Sequence, residues 1–224
     1  MKKDQYPAIE WRDGVPIARQ FDDPYFSLQD GLAEARHVFL AGNDLPQRFR
    51  DGFQIAELGF GTGLNAFATI AEWHRSGVAG KLHFTSFERF PMNPRDMFVA
   101  LENFPSIACF AEPFLGALKK GETSVATKDY HLEVILGDVR QTLPTWRSRV
   151  NAWYLDGFSP AKNPEMWDAS LLAEVANHTA PGGTFATYSA AGFVRRALEQ
   201  AGFFVERRPG FGRKRHMSVG KLPG

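Results

Sequence analysis

The feature that most constrains this chain is a short apolar run that ends in three alternating glycines. Residues 55–65 read Ile-Ala-Glu-Leu-Gly-Phe-Gly-Thr-Gly-Leu-Asn. A strand, a glycine-rich turn and a helix start are the parts of a nucleotide-type binding site. Glycine lets the backbone turn sharply and approach a ligand closely, and the first N–H groups of the helix point into the same space. We therefore expect a ligand where this strand ends.

Apolar strands and helical stretches alternate from residue 55 onward. We expect helices over 63–75, 93–104, 166–179 and 190–201. The predicted strands are 55–58, 82–87, 132–136, 152–155, 183–188, 203–207 and 216–221. This alternation predicts an α/β fold with a mixed seven-stranded sheet, mostly parallel with the last strand antiparallel, and helices on both faces. Ligands of such folds bind beyond the carboxyl ends of the strands.

The N-terminal part precedes this pattern. Asp13-Gly14 predicts a tight hairpin turn within residues 8–17, because Asp-Gly accepts the positive φ angles of a two-residue turn. Helical spacing of apolar residues follows over 28–40 and should end near Gly42-Asn43. We expect residues 1–50 to form a hairpin and helix that pack on a main domain of residues 51–224, one domain overall.

Composition excludes several classes of protein. The 224 residues, 44% of them hydrophobic, contain no apolar run near the roughly 18 residues that cross a bilayer. One cysteine cannot form an internal disulfide, and the six histidines lack the spacing of metal ligands. We therefore expect a cytoplasmic protein with no membrane or metal partner. Residues 190–224 carry eight Lys and Arg against two acids, which suits a polyanion such as nucleic acid or is a solvated face.

The spacing of the glycines narrows the ligand. Gly63 is followed by Leu64-Asn65 instead of Lys-Ser/Thr, which argues against a nucleoside triphosphate. Leu64 also stands where the third glycine of a dinucleotide loop would fall, so a nicotinamide-dependent oxidoreductase is disfavoured. Glu57 would repel a diphosphate but can bind the ammonium of an aminoacyl tail. S-adenosylmethionine is a nucleoside that carries such a tail.

Two more acids follow predicted strands. Glu88 ends the second strand and can accept hydrogen bonds from both ribose hydroxyls of a nucleoside. Asp138 ends the third strand and can accept from an adenine amino group. The alternatives are a solvated strand end for Glu88 and a helix N-cap for Asp138.

The loop after the fourth strand carries the candidate catalytic group, Asp156. Residues 156–167 read Asp-Gly-Phe-Ser-Pro-Ala-Lys-Asn-Pro-Glu-Met-Trp. Methyl transfer to an amine needs a neutral nitrogen whose lone pair is aimed at the methyl group, so positioning contributes most of the catalysis. With an ordinary pKa of about 4, Asp156 would be a poor base and would instead orient the amine. An N-cap aspartate on a proline-stiffened loop is the alternative.

These segments resemble a known family. Residues 57–65, 156–167, 189–196 and 210–215, with 21–27 and 38–43, are similar to the methyltransferase domain of the MnmC family. The resemblance implies a Rossmann-like class I S-adenosylmethionine-dependent methyltransferase. It also implies methylation of the 5-aminomethyl group of the wobble (2-thio)uridine in the tRNA anticodon loop, which gives the 5-methylaminomethyl form.

The resemblance assigns roles to residues of this chain. Asp156 matches the aspartate of the family's catalytic loop. Many members carry a second, flavin-dependent domain that exposes the amine. We expect this chain to be a stand-alone methyltransferase or an excised domain without oxidase activity, with a separate flavin oxidoreductase supplying the amine. The implied cofactor-binding residues are Glu57, Gly59, Phe60, Gly61, Gly63, Asn65, Glu88 and Asp138.

The tRNA side is predicted from charge and aromatic residues. Phosphate neutralisation needs cations, and a splayed base needs a surface for stacking. Phe158, Trp167 and Phe211 are candidates for stacking, with ordinary packing as the alternative. The predicted substrate residues are Phe158, Lys162, Arg195, Arg196, Arg213, Lys214 and Arg215. Methylation of another amine, in a protein or a small molecule, and a non-catalytic tRNA-binding or cofactor-sensing module remain as alternative functions.

Overall fold

The N-terminal hairpin is present as predicted. The computed structural model describes residues 6–27 and 30–224. Strands β1 (Ile9–Arg12) and β2 (Val15–Ala18) pair antiparallel, and a short β3 (Asp23–Pro24) pairs with β2. Asp13 and Gly14 make the turn with φ angles of 49° and 78°. Both angles are positive, as a two-residue turn matched to the twist of the strands requires.

A helical segment follows the hairpin. Helix α1 (Gly31–Ala35) starts at Asp30, whose side chain accepts a hydrogen bond from the Ala33 N–H. A π-helical turn (Arg36–Leu40) and a 3-10 turn (Ala41–Asn43) continue it. The predicted helix over 28–40 is confirmed from Gly31 onward, while Leu28 and Gln29 lie outside the described residues. The chain leaves this segment at Asp44, where φ is positive.

All seven predicted strands are present in one sheet, together with an eighth that was not predicted. The order of strands is β10-β11-β9-β8-β4-β5-β7-β6, and β4, β5, β7, β8 and β9 run parallel. The additional strand β6 is a three-residue edge strand antiparallel to β7. The strands are β4 (Gln54–Leu58), β5 (Leu82–Glu88), β6 (Ser124–Ala126), β7 (Tyr130–Leu136), β8 (Val150–Leu155), β9 (Thr179–Thr187), β10 (Phe204–Pro209) and β11 (His216–Lys221).

The helices cover both faces of the sheet. They are α2 (Leu64–Ser76), α3 (Pro94–Leu101), α4 (Pro105–Lys119), α5 (Val139–Thr142), α6 (Ala169–Asn177) and α7 (Gly192–Gln200). The predicted helix over 166–179 is split, since a 3-10 turn (Pro164–Trp167) precedes α6. Helix α4 was not predicted. Pro105 stands in its first turn, where no N–H is needed, and Pro113 lies on its exposed side.

Successive residues of the central strand β8 face opposite layers. Trp153 packs in the hydrophobic cluster with α6 and α7, whereas Tyr154 packs in the cluster with α2 and α4. Both side chains are fully buried. This alternation is the two-residue period of a strand that is covered on both faces, so the sheet is the middle layer of three.

The N-terminal segment is hydrogen-bonded to the sheet. Asn43 is buried and donates to the Trp153 carbonyl at 3.2 Å. The guanidinium of Arg48 donates to the Asn151 carbonyl at 2.9 Å. The division into residues 1–50 and 51–224 stays a prediction. Within the described part of the chain, the helices are all too short or too polar to cross a bilayer.

Candidate active site at the carboxyl ends of the strands

The glycine loop between β4 and α2 has a backbone that other residues rarely adopt. Gly59, Gly61 and Gly63 have φ angles of 93°, 54° and 77°. A Cβ on Gly59 would lie 2.4 Å from the Asp156 carbonyl oxygen, and one on Gly61 would lie 3.1 Å from the Tyr25 ring. The glycines are therefore needed for the turn, for its close contact with the loop after β8 at Gly59, and for its contact with the N-terminal segment at Gly61.

A cavity of about 760 Å³ opens above this loop. Its size falls within the roughly 300–1,000 Å³ of small-molecule sites. It lies where the parallel strands end, as the sequence predicts for a ligand. The predicted site residues on its wall are Gly59, Phe60, Gly61, Asn65, Glu88, Asp138, Asp156, Phe158, Lys162, Arg213 and Lys214. The predicted residues that do not line it are Glu57, Gly63, Arg195, Arg196 and Arg215.

Glu57 lies beneath the cavity wall. It is 0% exposed, and its two oxygens accept hydrogen bonds from Asn65 Nδ2 at 2.9 Å and from Ser86 Oγ at 2.7 Å. Burial and the neighbouring Asp156 raise the pKa of Glu57 well above its ordinary value. Contact with the ammonium of a cofactor stays a prediction for this residue. Its observed contact is with Asn65, which does line the cavity.

Asp156 follows β8 and reaches the same amide. Its Oδ2 accepts a hydrogen bond from Asn65 Nδ2 at 2.6 Å, so one amide group bridges two carboxylates. Burial raises the pKa of Asp156 to about 7, although the Asn65 hydrogen bond and the Lys214 charge act in the opposite direction. The expected ordinary pKa near 4 is therefore wrong. A carboxyl group with a pKa near 7 can exchange protons at neutral pH.

Glu88, the last residue of β5, supports the glycine loop from the other side. Its Oε2 accepts from the Gly61 N–H at 3.0 Å and its Oε1 from the Phe90 N–H at 2.7 Å. Burial raises the pKa of Glu88 above its usual value, and these backbone N–H groups reduce the shift. Each carboxylate oxygen keeps a further lone pair for a ligand hydroxyl.

Asp138 caps helix α5, as the alternative reading of the sequence holds. It accepts from the Arg140 N–H at 3.0 Å and pairs with the guanidinium of Arg140 at 2.6 Å and that of Arg89 at 3.1 Å. The Arg140 side chain holds the pKa of Asp138 below its ordinary value. Arg140 also reaches Glu165 of the loop after β8 at 2.9 Å. Asp138 lines the cavity with its carboxylate already engaged.

Phe158 and Lys162 join the loop after β8 to the N-terminal segment. The Phe158 ring stacks on Phe21 with centroids 4.6 Å apart and meets the edge of Tyr25 at 5.3 Å. The Lys162 ammonium contacts the Asp22 carbonyl and lies 3.5 Å from Asp23 Oδ1. Both side chains therefore have protein partners in this structure. Trp167 is buried, and its indole N–H donates to the Phe158 carbonyl at 2.9 Å.

The five predicted cations of the C-terminal region differ in placement. Lys214 turns toward the cavity, where its Nζ lies 2.9 Å from Glu34 Oε1 and 4.1 Å from the Tyr188 ring centre. Arg213 is exposed at the cavity rim, while Arg196 and Arg215 are exposed outside it. Arg195 is half-buried, and its Nε has no hydrogen-bond partner among the described residues.

Tyr188 and Glu34 belong to the site although neither was predicted from the sequence. Tyr188 follows β9 directly, lines the cavity and donates its hydroxyl to the Gly157 carbonyl at 2.7 Å. The rule that located Asp156, a polar residue at the end of a parallel strand, would have found Tyr188. Glu34 lies on α1 and also lines the cavity. No sequence signal distinguishes it, because its partner Lys214 is 180 residues away.

The residues of the cavity fit S-adenosylmethionine. Gly59 and Gly61 line the cavity with backbone alone, so a ligand can approach this loop closely, and Glu88 stands beside it with oxygens that can accept ribose hydroxyls. The N-terminus of α2 faces the same loop. Among the described residues, no cluster of three His, Cys, Asp or Glu side chains is arranged to hold a metal ion.

Comparison with known proteins agrees with this site. A family model described as S-adenosyl-L-methionine-dependent methyltransferase matches residues 106–223. The bifunctional protein MnmC of Leptospira borgpetersenii, which bears the name tRNA 5-methylaminomethyl-2-thiouridine biosynthesis protein, is 42% identical over 95% of this chain. The chain spans 34% of the length of that relative.

Solved structures agree on the fold. MnmC2 of Aquifex aeolicus has a TM-score of 0.76 at 24% identity, with 97% of this chain and 72% of that chain covered. A methyltransferase of Pyrococcus furiosus has a TM-score of 0.52 at 14% identity, with 97% and 90% covered. The match to the family model excludes a nicotinamide-dependent oxidoreductase, the alternative that the glycine spacing disfavours. The chain belongs to the S-adenosyl-L-methionine-dependent methyltransferase family, and its cofactor is S-adenosylmethionine.

Proposed function

We propose that this protein methylates the primary amine of 5-aminomethyl-(2-thio)uridine at the wobble position of tRNA. The observation that carries the proposal is the contact between the glycine loop and the loop of Asp156, where a Cβ on Gly59 would lie 2.4 Å from the Asp156 carbonyl oxygen. This contact brings the cofactor loop and a carboxylate to one cavity. The 42% identity to an MnmC protein supports tRNA as the substrate.

The cofactor supplies an electrophilic methyl group on a sulfonium sulfur. Gly59, Phe60 and Gly61 would lie against it, and Glu88 would accept the ribose hydroxyls. We propose that four further residues shape the cofactor site: Glu57, Gly63, Asn65 and Asp138. Asn65 and Asp138 line the cavity, and Glu57 accepts a hydrogen bond from Asn65. Asp138 would approach the adenine end from its position as the cap of α5.

Asp156 is the proposed catalytic residue. An alkylammonium has no lone pair, so the amine must lose a proton before the nitrogen can attack. As a carboxylate, Asp156 accepts the N–H groups of the amine and aims its lone pair, and its pKa of about 7 lets it take up a proton near neutral pH. Asn65 holds the carboxylate in place through the bond at 2.6 Å. Orientation and proton acceptance thus require the same ionised form.

The arginines of the C-terminal region are the proposed contacts with tRNA phosphates. Arg213 and Arg215 lie in the turn between β10 and β11, at and just outside the rim of the cavity. Arg195 and Arg196 belong to α7. For Phe158 and Lys162 we propose contacts with the target nucleotide, since both line the cavity.

The substrate amine must be exposed by an earlier reaction. The MnmC relative is described as bifunctional, and this chain spans 34% of it. We propose that a flavin-dependent oxidoreductase activity outside the residues of this chain supplies the amine, and that both reactions take place in the cytoplasm. A tRNA-modifying enzyme would meet its substrate there.

Nucleoside analysis tests the proposed function. tRNA that carries the 5-aminomethyl group is incubated with the protein and S-adenosylmethionine, digested to nucleosides and measured by mass spectrometry. The expected result is conversion of 5-aminomethyl-(2-thio)uridine into its 5-methylaminomethyl form. Unchanged tRNA in the presence of folded, cofactor-bound protein would refute the proposal. If methyl groups are found only on another amine, that amine is the substrate and the proposed one is wrong.

A further inference from the structure

Lys214 occupies a cation site on the wall of the cavity. Its Nζ lies 2.9 Å from Glu34 Oε1 and 4.1 Å from the centre of the Tyr188 ring. The hydroxyl of Tyr188 donates to the Gly157 carbonyl, which fixes the ring beside the catalytic loop. A carboxylate together with an aromatic face is an arrangement that binds alkylammonium groups.

The site is largely buried on one side and exposed on the other. The Glu34 side chain is only 12% exposed, whereas that of Lys214 is 46% exposed. Glu34 belongs to helix α1, and Tyr188 is partly buried and packs against both hydrophobic clusters of the core. Lys214 belongs to a surface turn. A half-exposed ion pair contributes about 0–1 kcal/mol, so this ammonium can be exchanged for another.

The charges around the site favour a cation. Asp23, Glu34 and Asp156 all line the cavity, and Lys214 lies among them. The Lys214 charge lowers the pKa of Asp156, while the charges of Glu34 and Asp23 raise it, so these groups interact across the cavity. Without Lys214, the carboxylates of Asp23, Glu34 and Asp156 would share this part of the cavity with a single lysine ammonium among the described lining residues, that of Lys162, which is held by Asp23.

The turn that carries Lys214 also carries cations for a polyanion. Its neighbours Arg213 and Arg215 are exposed, and the structure shows no ion pair for either among the described residues. A nucleic-acid backbone that binds these two side chains would place phosphates beside Lys214. A phosphate is a strong competitor for an ammonium that is held by one carboxylate at the surface.

We propose that Glu34 and the face of Tyr188 bind the ammonium group of the substrate, and that Lys214 fills this site in the free protein until a phosphate backbone draws it away. This inference rests on the proposed function, because it assigns recognition of the primary amine. It explains how one turn can couple backbone binding to entry of the amine. It also predicts that the free protein binds an isolated aminomethyl nucleoside poorly.

The test measures binding of a nucleoside that has no phosphate. The variants are Lys214→Met, which keeps the length of the side chain without its charge, and Glu34→Gln. Lys221→Met is the matched control, since it removes an exposed lysine of the same hairpin that does not line the cavity. Affinity for 5-aminomethyluridine is measured by calorimetry at pH 8, with 5-hydroxymethyluridine as the uncharged analogue.

If Lys214 fills the site about nine-tenths of the time, its removal raises the apparent affinity for 5-aminomethyluridine about tenfold. Lys214→Met should show this gain and Lys221→Met should not, and neither should gain affinity for the uncharged analogue. Adding Glu34→Gln to Lys214→Met should abolish the gain. Equal affinities of Lys214→Met and the wild type, or a gain that persists with Glu34→Gln, would overturn the inference.

Methylation of tRNA by the wild type separates the two proposals. If tRNA is methylated but Lys214→Met gains no affinity for the nucleoside, the proposed role of Lys214 is wrong and the proposed function stands. If tRNA is not methylated, the proposed function fails, whatever the nucleoside affinities are. Thermal unfolding of each variant confirms that it is folded before binding is compared.

Discussion

Replacing Asp156, the proposed catalytic residue, should make this protein more stable at alkaline pH. Asp156 has a pKa of about 7 in the folded protein, against an ordinary value of 3.8. Between these values the folded state binds more protons than the unfolded chain, so the free energy of unfolding falls as pH rises through this window. Above pH 7 the ionised group destabilises the fold. Asp156→Asn removes the charge and keeps an oxygen that can accept from Asn65.

The magnitude follows from the size of the pKa shift. About three units at roughly 1.36 kcal/mol each set an upper limit near 4 kcal/mol, and the opening of the cavity to solvent reduces it. We expect Asp156→Asn to raise the free energy of unfolding by about 2–4 kcal/mol more at pH 8 than at pH 4. For a chain of this length that is roughly 5–10 °C in Tm.

Thermal and urea unfolding of the cofactor-free protein at pH 4, 6 and 8 measure this effect. Asp168→Asn is the control of opposite sign, since hydrogen bonds from Ser170 lower the pKa of Asp168 at the N-cap of α6. Its charge stabilises the fold above the unfolded pKa, and this contribution is lost as pH falls. A gain for Asp156→Asn that is the same at pH 4 and pH 8 would refute the argument.

Three further predictions concern the cofactor loop, the amide bridge and the tRNA surface. Gly59→Ala should abolish cofactor binding in calorimetry, because its Cβ would meet the Asp156 carbonyl oxygen. Gly52→Ala is the control and should keep cofactor binding, since Gly52 has a similar positive φ but no atom within 4 Å of its Cβ. Equal cofactor binding by both variants would contradict this prediction. Asn65→Leu removes a hydrogen-bond donor to the charged Asp156, worth about 1.5–3 kcal/mol, and so raises the pKa of Asp156. The acidic limb of the pH profile of kcat should therefore move up by at least about one pH unit. Thr69→Val, one helical turn away, is the control and should leave this limb in place. An unmoved limb in Asn65→Leu would show that this bond does not tune Asp156. Replacing Arg213 and Arg215 by Gln should weaken tRNA binding and reduce its logarithmic salt slope by about two; an unaltered slope would remove these side chains from the phosphate contacts.

The strands and their ends were predictable because the signals are local. Each parallel strand is a run of apolar residues bounded by glycine or a polar residue, and both signals lie within a few positions of each other. Asp156 and Glu88 were found in this way, since polar residues at the ends of parallel strands meet at one edge of the sheet. Helix α4 was missed because its prolines suggest a loop, and only the structure shows that Pro113 faces solvent.

The partners of the site residues were not predictable, because they are distant in the chain. Asn65 and Asp156 are 91 residues apart, and the raised pKa of Asp156 arises from the burial that the fold imposes. Lys214 and Glu34 are 180 residues apart. Charge counting therefore placed Lys214 with Arg213 and Arg215 as one phosphate-binding group. The structure distinguishes it, since Lys214 alone of the three is paired with a carboxylate inside the cavity.

The most direct test of the account is a single-turnover methyl transfer to a defined RNA. An anticodon stem–loop with 5-aminomethyluridine at the wobble position is mixed with excess protein and S-adenosylmethionine labelled in its methyl group, and the labelled nucleoside is identified by mass spectrometry. We predict label on the exocyclic amine with the wild type, and none with Asp156→Asn or with a stem–loop that carries unmodified uridine. Equal labelling by Asp156→Asn, or label on any other atom of the RNA, would contradict the assignment of Asp156 as the residue that aims the amine at the cofactor loop.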